Sequence, residues 1–206
     1  MILINLCGGP GAGKTTLSYY LAYRLKKAGL RTELVGESAR EHHIYNTPPD
    51  RVAAPLLDNQ VLLAGQQFER TLRLKRHNFE VAISDSPMEQ GLLYCADHNY
   101  FKSLKATITD VATNFDTFNV FINPRPGSYD PESRVQKTEA EARAHDTTVR
   151  KLMGDKFWME IGWDEEEKLG DAVVKLALAQ RPQIKRSANK AKGAKAARAL
   201  SSLRAE

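Results

Sequence analysis

Apolar positions change their period repeatedly along this chain. Ile2-Leu3-Ile4-Asn5-Leu6-Cys7 is a nearly continuous apolar run, the pattern of a strand covered on both faces. Leu17, Tyr20, Leu21 and Leu25 then recur at helical spacing over Lys14–Ala28, and Gly29 ends the pattern. Thr32–Val35 reads as a second strand, followed by a polar loop holding Pro48, Pro49 and Pro55. Leu56–Arg76 reads as a long helix and Val81–Ser84 as a third strand. Tyr100–Asn114 is mostly helical, Asn119–Ile122 is a fourth strand, and a loop with Pro124, Pro126, Gly127 and Pro131 follows. Glu139–Met153 is helical, Phe157–Ile161 is a short fifth strand, and Glu165–Ala179 is a closing helix.

Strands alternating with helices imply an α/β fold, a five-stranded parallel sheet flanked by helices on both faces. Ligands of such sheets bind beyond the carboxyl ends of the strands. The residues directly after each strand are therefore the ones to inspect.

After the first strand comes Gly8-Gly9-Pro10-Gly11-Ala12-Gly13-Lys14-Thr15-Thr16. It fits the pattern G-x-x-x-x-G-K-[ST] between a strand and a helix. Glycines let backbone amides approach a ligand closely, and those amides form an anion nest at a helix N-terminus. Lys14 would reach the β- and γ-phosphates of ATP, and the Thr15 hydroxyl would ligate Mg²⁺. The competing reading is a chance glycine-rich turn, which the strand–loop–helix order argues against.

Asp85 ends the third strand in Ser84-Asp85-Ser86-Pro87. An acid there is suited to hold Mg²⁺ or its water shell; a strand-end Asp also caps turns. Glu37 follows the second strand in Val35-Gly36-Glu37-Ser38-Ala39-Arg40. A carboxylate there could accept or align the proton of a hydroxyl acceptor; otherwise it caps, with Arg40 on the surface. After the fourth strand stand Arg125, Arg134, Lys137 and Arg143. A mobile basic loop could close over the phosphates, with Arg134 as the lid arginine, or could simply be solvated. Gln66, Gln67 and Arg70 either line an acceptor pocket or form a polar outer helix face. His42 and His43 are adjacent and make no metal site, and Trp158 and Trp163 read as packing residues.

Together, "GGPGAGKTT", "GESAREH", "ISDSP" and the arginine-bearing stretch before "EAEARAHD" resemble small P-loop kinases over roughly Met1 to Ala179. The nearest likeness is to phage-encoded ATP-binding proteins related to the ribosylnicotinamide kinase domain of the bacterial NAD regulator. Thymidylate kinases and bacteriophage kinases of hydroxymethyluracil in DNA belong to the same broad group. The resemblance implies an ATP- and Mg²⁺-dependent kinase with a lid. Lys14, Glu37, Asp85 and Arg134 would be catalytic, and Thr15 and Asp85 would hold the metal. Gly8, Gly9, Pro10, Gly11, Ala12, Gly13, Lys14, Thr15, Thr16 and Arg125 would bind ATP. Glu37, Arg40, Ser86 and Gln66 would bind a nucleoside-type acceptor. Thymidylate kinases usually carry an Arg after the strand-end Asp, where this chain has Ser86. That departure favours a hydroxyl acceptor over a monophosphate.

Charge adds one feature. The net charge is +5 over 206 residues, but Arg181–Glu206 holds eight Lys/Arg and one acid. The expected division is a kinase domain over residues 1–180 and a basic Ala/Lys-rich tail over 181–206. The tail could bind DNA phosphates, which, with Ser86 and the polar loop from Glu41 to Pro55, would point to a hydroxymethylated pyrimidine in DNA as acceptor, or could only solubilise the chain. The alternatives are a small-molecule nucleoside or nucleotide kinase, acting for example on nicotinamide riboside, and a P-loop ATPase with no acceptor. Two cysteines are too few for a disulfide framework. No apolar run approaches the ~20 residues of a membrane span, and the N-terminus does not read as a signal peptide. The expectation is a cytoplasmic protein.

Overall fold

The computed structural model describes residues 1–38, 60–95, 97, 99–127, 129–130 and 138–181. Five strands form one parallel sheet: β1 (Ile2–Cys7), β2 (Thr32–Val35), β3 (Val81–Ser84), β4 (Asp116–Ile122) and β5 (Phe157–Ile161). Their spatial order is β2-β3-β1-β4-β5. The longer helices among the described residues are α1 (Lys14–Lys27), α2 (Gln60–Arg76), α3 (Phe101–Ala112), α4 (Glu139–Met153) and α5 (residues 166–181). The expected start of α2 at Leu56 lies outside the described residues.

β1 occupies the middle of the sheet, and all its residues are buried. Side chains alternate across a strand, so its run serves two cores. Ile2, Ile4 and Leu6 face Leu17, Leu21 and Leu25 of α1 and Leu169 and Val173 of α5. Leu3 packs with Phe115 and with Phe68 and Leu72 of α2, while Cys7 meets Phe121 and Val149 and Met153 of α4. Burial pushes the Cys7 thiol up to about 12, so it stays a neutral packing group.

Two elements differ from the pattern reading. β4 begins at Asp116, three residues earlier than expected, because Asp116 and Thr117 pair with Ile2 and Leu3 of β1 although neither is apolar. A 3₁₀ segment, Met88–Tyr94, follows β3. It starts after Pro87, which is extended with φ −67° and ψ 149°. Seven residues of 3₁₀ helix carry too few turns for a 3.6-residue period to show.

At the amino-terminal end of the sheet, Glu80 is nearly buried and accepts from the Arg31 amide at 2.9 Å and from Arg181 Nε at 2.8 Å. Arg181 also donates to the Gly29 carbonyl at 2.7 Å. The root of the expected tail is thus fastened at the end of the sheet opposite Gly8–Gly13. The rest of the tail lies outside the described residues. No helix among the described residues is long and apolar enough to cross a membrane.

Removing the Arg181 side chain leaves the buried Glu80 carboxylate under-paired. Arg181→Ala should lower stability by about 1–3 kcal/mol, read as a lower urea midpoint, with nucleotide affinity unchanged.

Candidate functional site

The loop between β1 and α1 turns on three glycines with positive φ: Gly8 at 145°, Gly11 at 75° and Gly13 at 84°. L side chains rarely tolerate these angles. Gly13 is the cap residue of α1; no side chain bonds that cap, and no acid stands in the first turn. The helix therefore presents its amino end, with its partial positive charge, to the loop's interior.

The loop's carbonyls are drawn the other way. Lys14 Nζ donates to the carbonyls of Gly8 and Gly9, each at 2.8 Å. Gln90 Nε2, from the 3₁₀ segment, donates to the Gly8 carbonyl at 3.3 Å. Arg143 Nη2, from α4, donates to the Pro10 carbonyl at 3.1 Å. The Gly9 amide donates to the Asp146 carboxylate. Two cations and an amide thus hold three successive carbonyls, which leaves a nest of amides that suits phosphate oxygens.

Because β3 lies directly beside β1, its end meets the first turn of α1. Thr15 Oγ1 donates to Asp85 Oδ2 at 3.1 Å, and Asp85 is only 8% exposed. A hydroxyl and a carboxylate oxygen this close are a hard-oxygen donor pair, which fits Mg²⁺ completed by waters and phosphate oxygens. No group of three or more His, Cys, Asp or Glu gathers among the described residues, so nothing there competes as an all-protein metal cage.

β2 pairs with β3 so that Val35 stands opposite Ser84. Continuing that register, Glu37 leaves the sheet level with Ser86, one strand from Asp85. Strand spacing is about 4.8 Å, so the backbones of the two strand ends run side by side. Gln67 stitches the two strand ends together. Its Oε1 accepts from the Ser38 hydroxyl at 3.1 Å, and its Nε2 donates to Ser84 Oγ at 3.0 Å and to the Ser86 carbonyl at 3.3 Å. Gln66, one position earlier on α2, is exposed instead: a step of 100° along a helix takes it off this face. Gln66 thus takes the outer helix face, and Gln67 is the glutamine at the strand ends. Arg70 donates to the Gly36 carbonyl at 3.4 Å.

Sequence reasoning missed Tyr94 and His145. Their rings meet at a centroid distance of 5.7 Å. Burial, and then the Glu37 charge, push the Tyr94 phenol up to about 12, so it stays protonated. Burial, and then the Lys14 charge, lower His145, with Asp146 opposing. Neither residue follows a strand, so the strand-end rule could not find them. Arg125 is exposed and lies over the Trp163 ring, 4.8 Å from its centroid, which pairs two residues read separately as an ATP contact and as packing. Arg40, Arg134 and Lys137 lie outside the described residues, as do His42 and His43.

A parallel sheet, a glycine loop entering a helix, a lysine folded across that loop and an acid-ended neighbouring strand define a P-loop nucleotide-binding domain. The chain belongs to the family described as "AAA domain", which matches residues 3–157. Two solved structures share its fold. A NadR protein in complex with NAD and AMP-PNP superposes with a TM-score of 0.57 at 16% identity, covering 84% of this chain and 48% of that one. A NadR protein in complex with NR gives 0.60 at 17% identity, covering 84% and 50%. The chain thus spans about half the length of these structures.

His145 supplies a local test. Its folded pKa lies below the unfolded value of about 6.5, so its contribution to stability is full above that value. That contribution is lost as pH falls through the folded one. In an NMR titration the imidazole should titrate below its free value, and Lys14→Ala should move it upward.

Proposed function

We propose that this chain is an ATP-dependent kinase that transfers the γ-phosphoryl group to a hydroxyl of a small nucleoside-type acceptor. The observation that carries this reading is the second carboxylate. Asp85 is engaged by Thr15 on the phosphate side, whereas Glu37 stands one strand further out, where an acceptor would enter. An ATPase that only hydrolyses needs a group to position water, and a carboxylate beyond the metal acid suits a hydroxyl acceptor better.

The roles follow from chemistry and position. The amides of Gly11, Gly13, Lys14, Thr15 and Thr16 cradle the phosphates, because the Gly9 N–H goes to Asp146 and Pro10 has none. Lys14, steered by two carbonyls, neutralises charge on the transferring group. Thr15 and Asp85 would hold Mg²⁺, which would offset negative charge on the phosphates. Glu37 accepts the acceptor's proton as its oxygen bonds to the γ-phosphorus, and the bond to the β–γ bridging oxygen breaks, releasing ADP. Tyr94, protonated and close enough to feel Glu37, borders the acceptor side, and Ser86 lies level with Glu37. Arg134 keeps its expected role as lid arginine, and Arg125 its expected role as an ATP contact.

The acceptor class has two supports. The structurally similar NadR proteins are recorded with AMP-PNP and with NR, one an ATP analogue and the other a small ligand. The expectation of DNA as acceptor drew on the basic tail, on Ser86 in place of an Arg and on the polar loop from Glu41 to Pro55. Of these, the tail starts at Arg181, which is bound at the sheet end opposite the phosphate loop. A free nucleoside such as nicotinamide riboside therefore fits better than a flipped base in DNA.

Incubation with γ-labelled ATP, Mg²⁺ and separate panels of nucleosides, nucleotides and hydroxymethylated DNA tests the reading. Label should appear on a nucleoside. Label recovered only as free phosphate contradicts the kinase, and label on DNA alone overturns the acceptor class. Glu37→Gln should lower kcat by about 10²–10⁴-fold with ATP affinity nearly unchanged, whereas Asp85→Asn should raise the Mg²⁺ concentration needed.

A further inference from the structure

Arg143 and Asp146 stand one turn apart on α4 and both touch the phosphate loop, yet neither has a role in the transfer just described. Asp146 is 9% exposed. A carboxylate so enclosed needs strong partners. It has the Gly9 amide and Arg143, whose Nη1 lies 2.8 Å from Asp146 Oδ2. Arg143 in turn donates from Nη2 to the Pro10 carbonyl.

The Gly9 residue is therefore gripped on both sides, its N–H by Asp146 and its C=O by Lys14. The packing behind it is equally close. A Cβ on Gly9 would lie 2.6 Å from Asp146 Oδ1 and 2.8 Å from the Ala142 carbonyl. Phosphate chemistry asks for no glycine at this second loop position. The approach of α4 does.

We propose that Arg143 and Asp146 are positioning residues that hold the phosphate loop, from outside, in the shape that admits a nucleotide. Turning the Gly9 and Pro10 peptides fixes the direction of the amides that follow them. The same contacts tie the loop to α4. This inference rests on the functional reading only as far as nucleotide binding. A pair that merely pinned α4 to the sheet would affect stability and leave affinity alone.

Calorimetric titration of the full chain with Mg²⁺·ATP and Mg²⁺·ADP, without acceptor, tests it beside thermal unfolding of each variant. Asp146→Ala should weaken both nucleotides about tenfold, as expected for a lost charge-assisted hydrogen bond. Asp146→Asn, whose amide oxygen can still accept from Gly9, should recover part of that loss. Arg143→Ala combined with Asp146→Ala should be no worse than the more damaging single change, because the two act as one unit. A folded Asp146→Ala variant with wild-type affinity overturns the proposal, whatever its melting temperature. If that variant does not fold, Arg143→Ala at its partly exposed site decides: weaker ATP binding supports the proposal and wild-type binding overturns it. A wild-type protein that binds neither nucleotide overturns the functional reading itself, and the inference falls with it.

Discussion

The N–H and C=O of successive peptides in a tight loop cannot all converge on one point. A loop that offers amides to an anion must give its carbonyls partners elsewhere. Here those partners are Lys14 for Gly8 and Gly9, Gln90 for Gly8 and Arg143 for Pro10. Each comes from a different element, so the anion site depends on α1, the 3₁₀ segment and α4 being in place together. Without these donors, buried carbonyls would carry a desolvation cost of about 1–3 kcal/mol each, and the loop would relax to turn some of them toward the cleft.

The strand order follows the same logic. Placing β3 next to β1 puts Asp85 within 3.1 Å of Thr15. Placing β2 beyond β3 sets Glu37 one strand further from the phosphates. Under the proposed function, that strand order would set phosphate, metal donors and acceptor-side acid in sequence across the sheet. Gln67 keeps the last two in register by bonding Ser38, Ser84 and the Ser86 carbonyl. A buried amide that uses both its ends in this way extends the β2–β3 pairing past Val35 and Ser84, where the backbone ladder stops.

Much of this was legible in sequence. The continuous apolar run of β1, the glycine loop and the strand-end acids Glu37 and Asp85 are local signals, and each follows from the position of a residue relative to a strand. The resemblance to a ribosylnicotinamide kinase domain anticipated the fold shared with the NadR structures. What remained hidden is tertiary. The choice between Gln66 and Gln67 needs the rotation of α2. Gln90 sits on a 3₁₀ segment with no readable period, and His145 and Asp146 lie mid-helix among residues that look like a solvated face. The basic tail was visible as composition, but the anchoring of Arg181 to Glu80 and Gly29 depends on three segments meeting at the far end of the sheet.

The central claim is that a preformed loop binds the phosphates of ATP through its amides and Lys14. Its most direct test is calorimetric titration of wild type and Lys14→Ala with Mg²⁺·ATP, with the unfolding midpoint of each recorded. The account predicts saturable one-to-one binding by wild type and a loss of affinity of about tenfold or more in a variant that remains folded. No binding by wild type, or equal affinity in the two proteins, would contradict it.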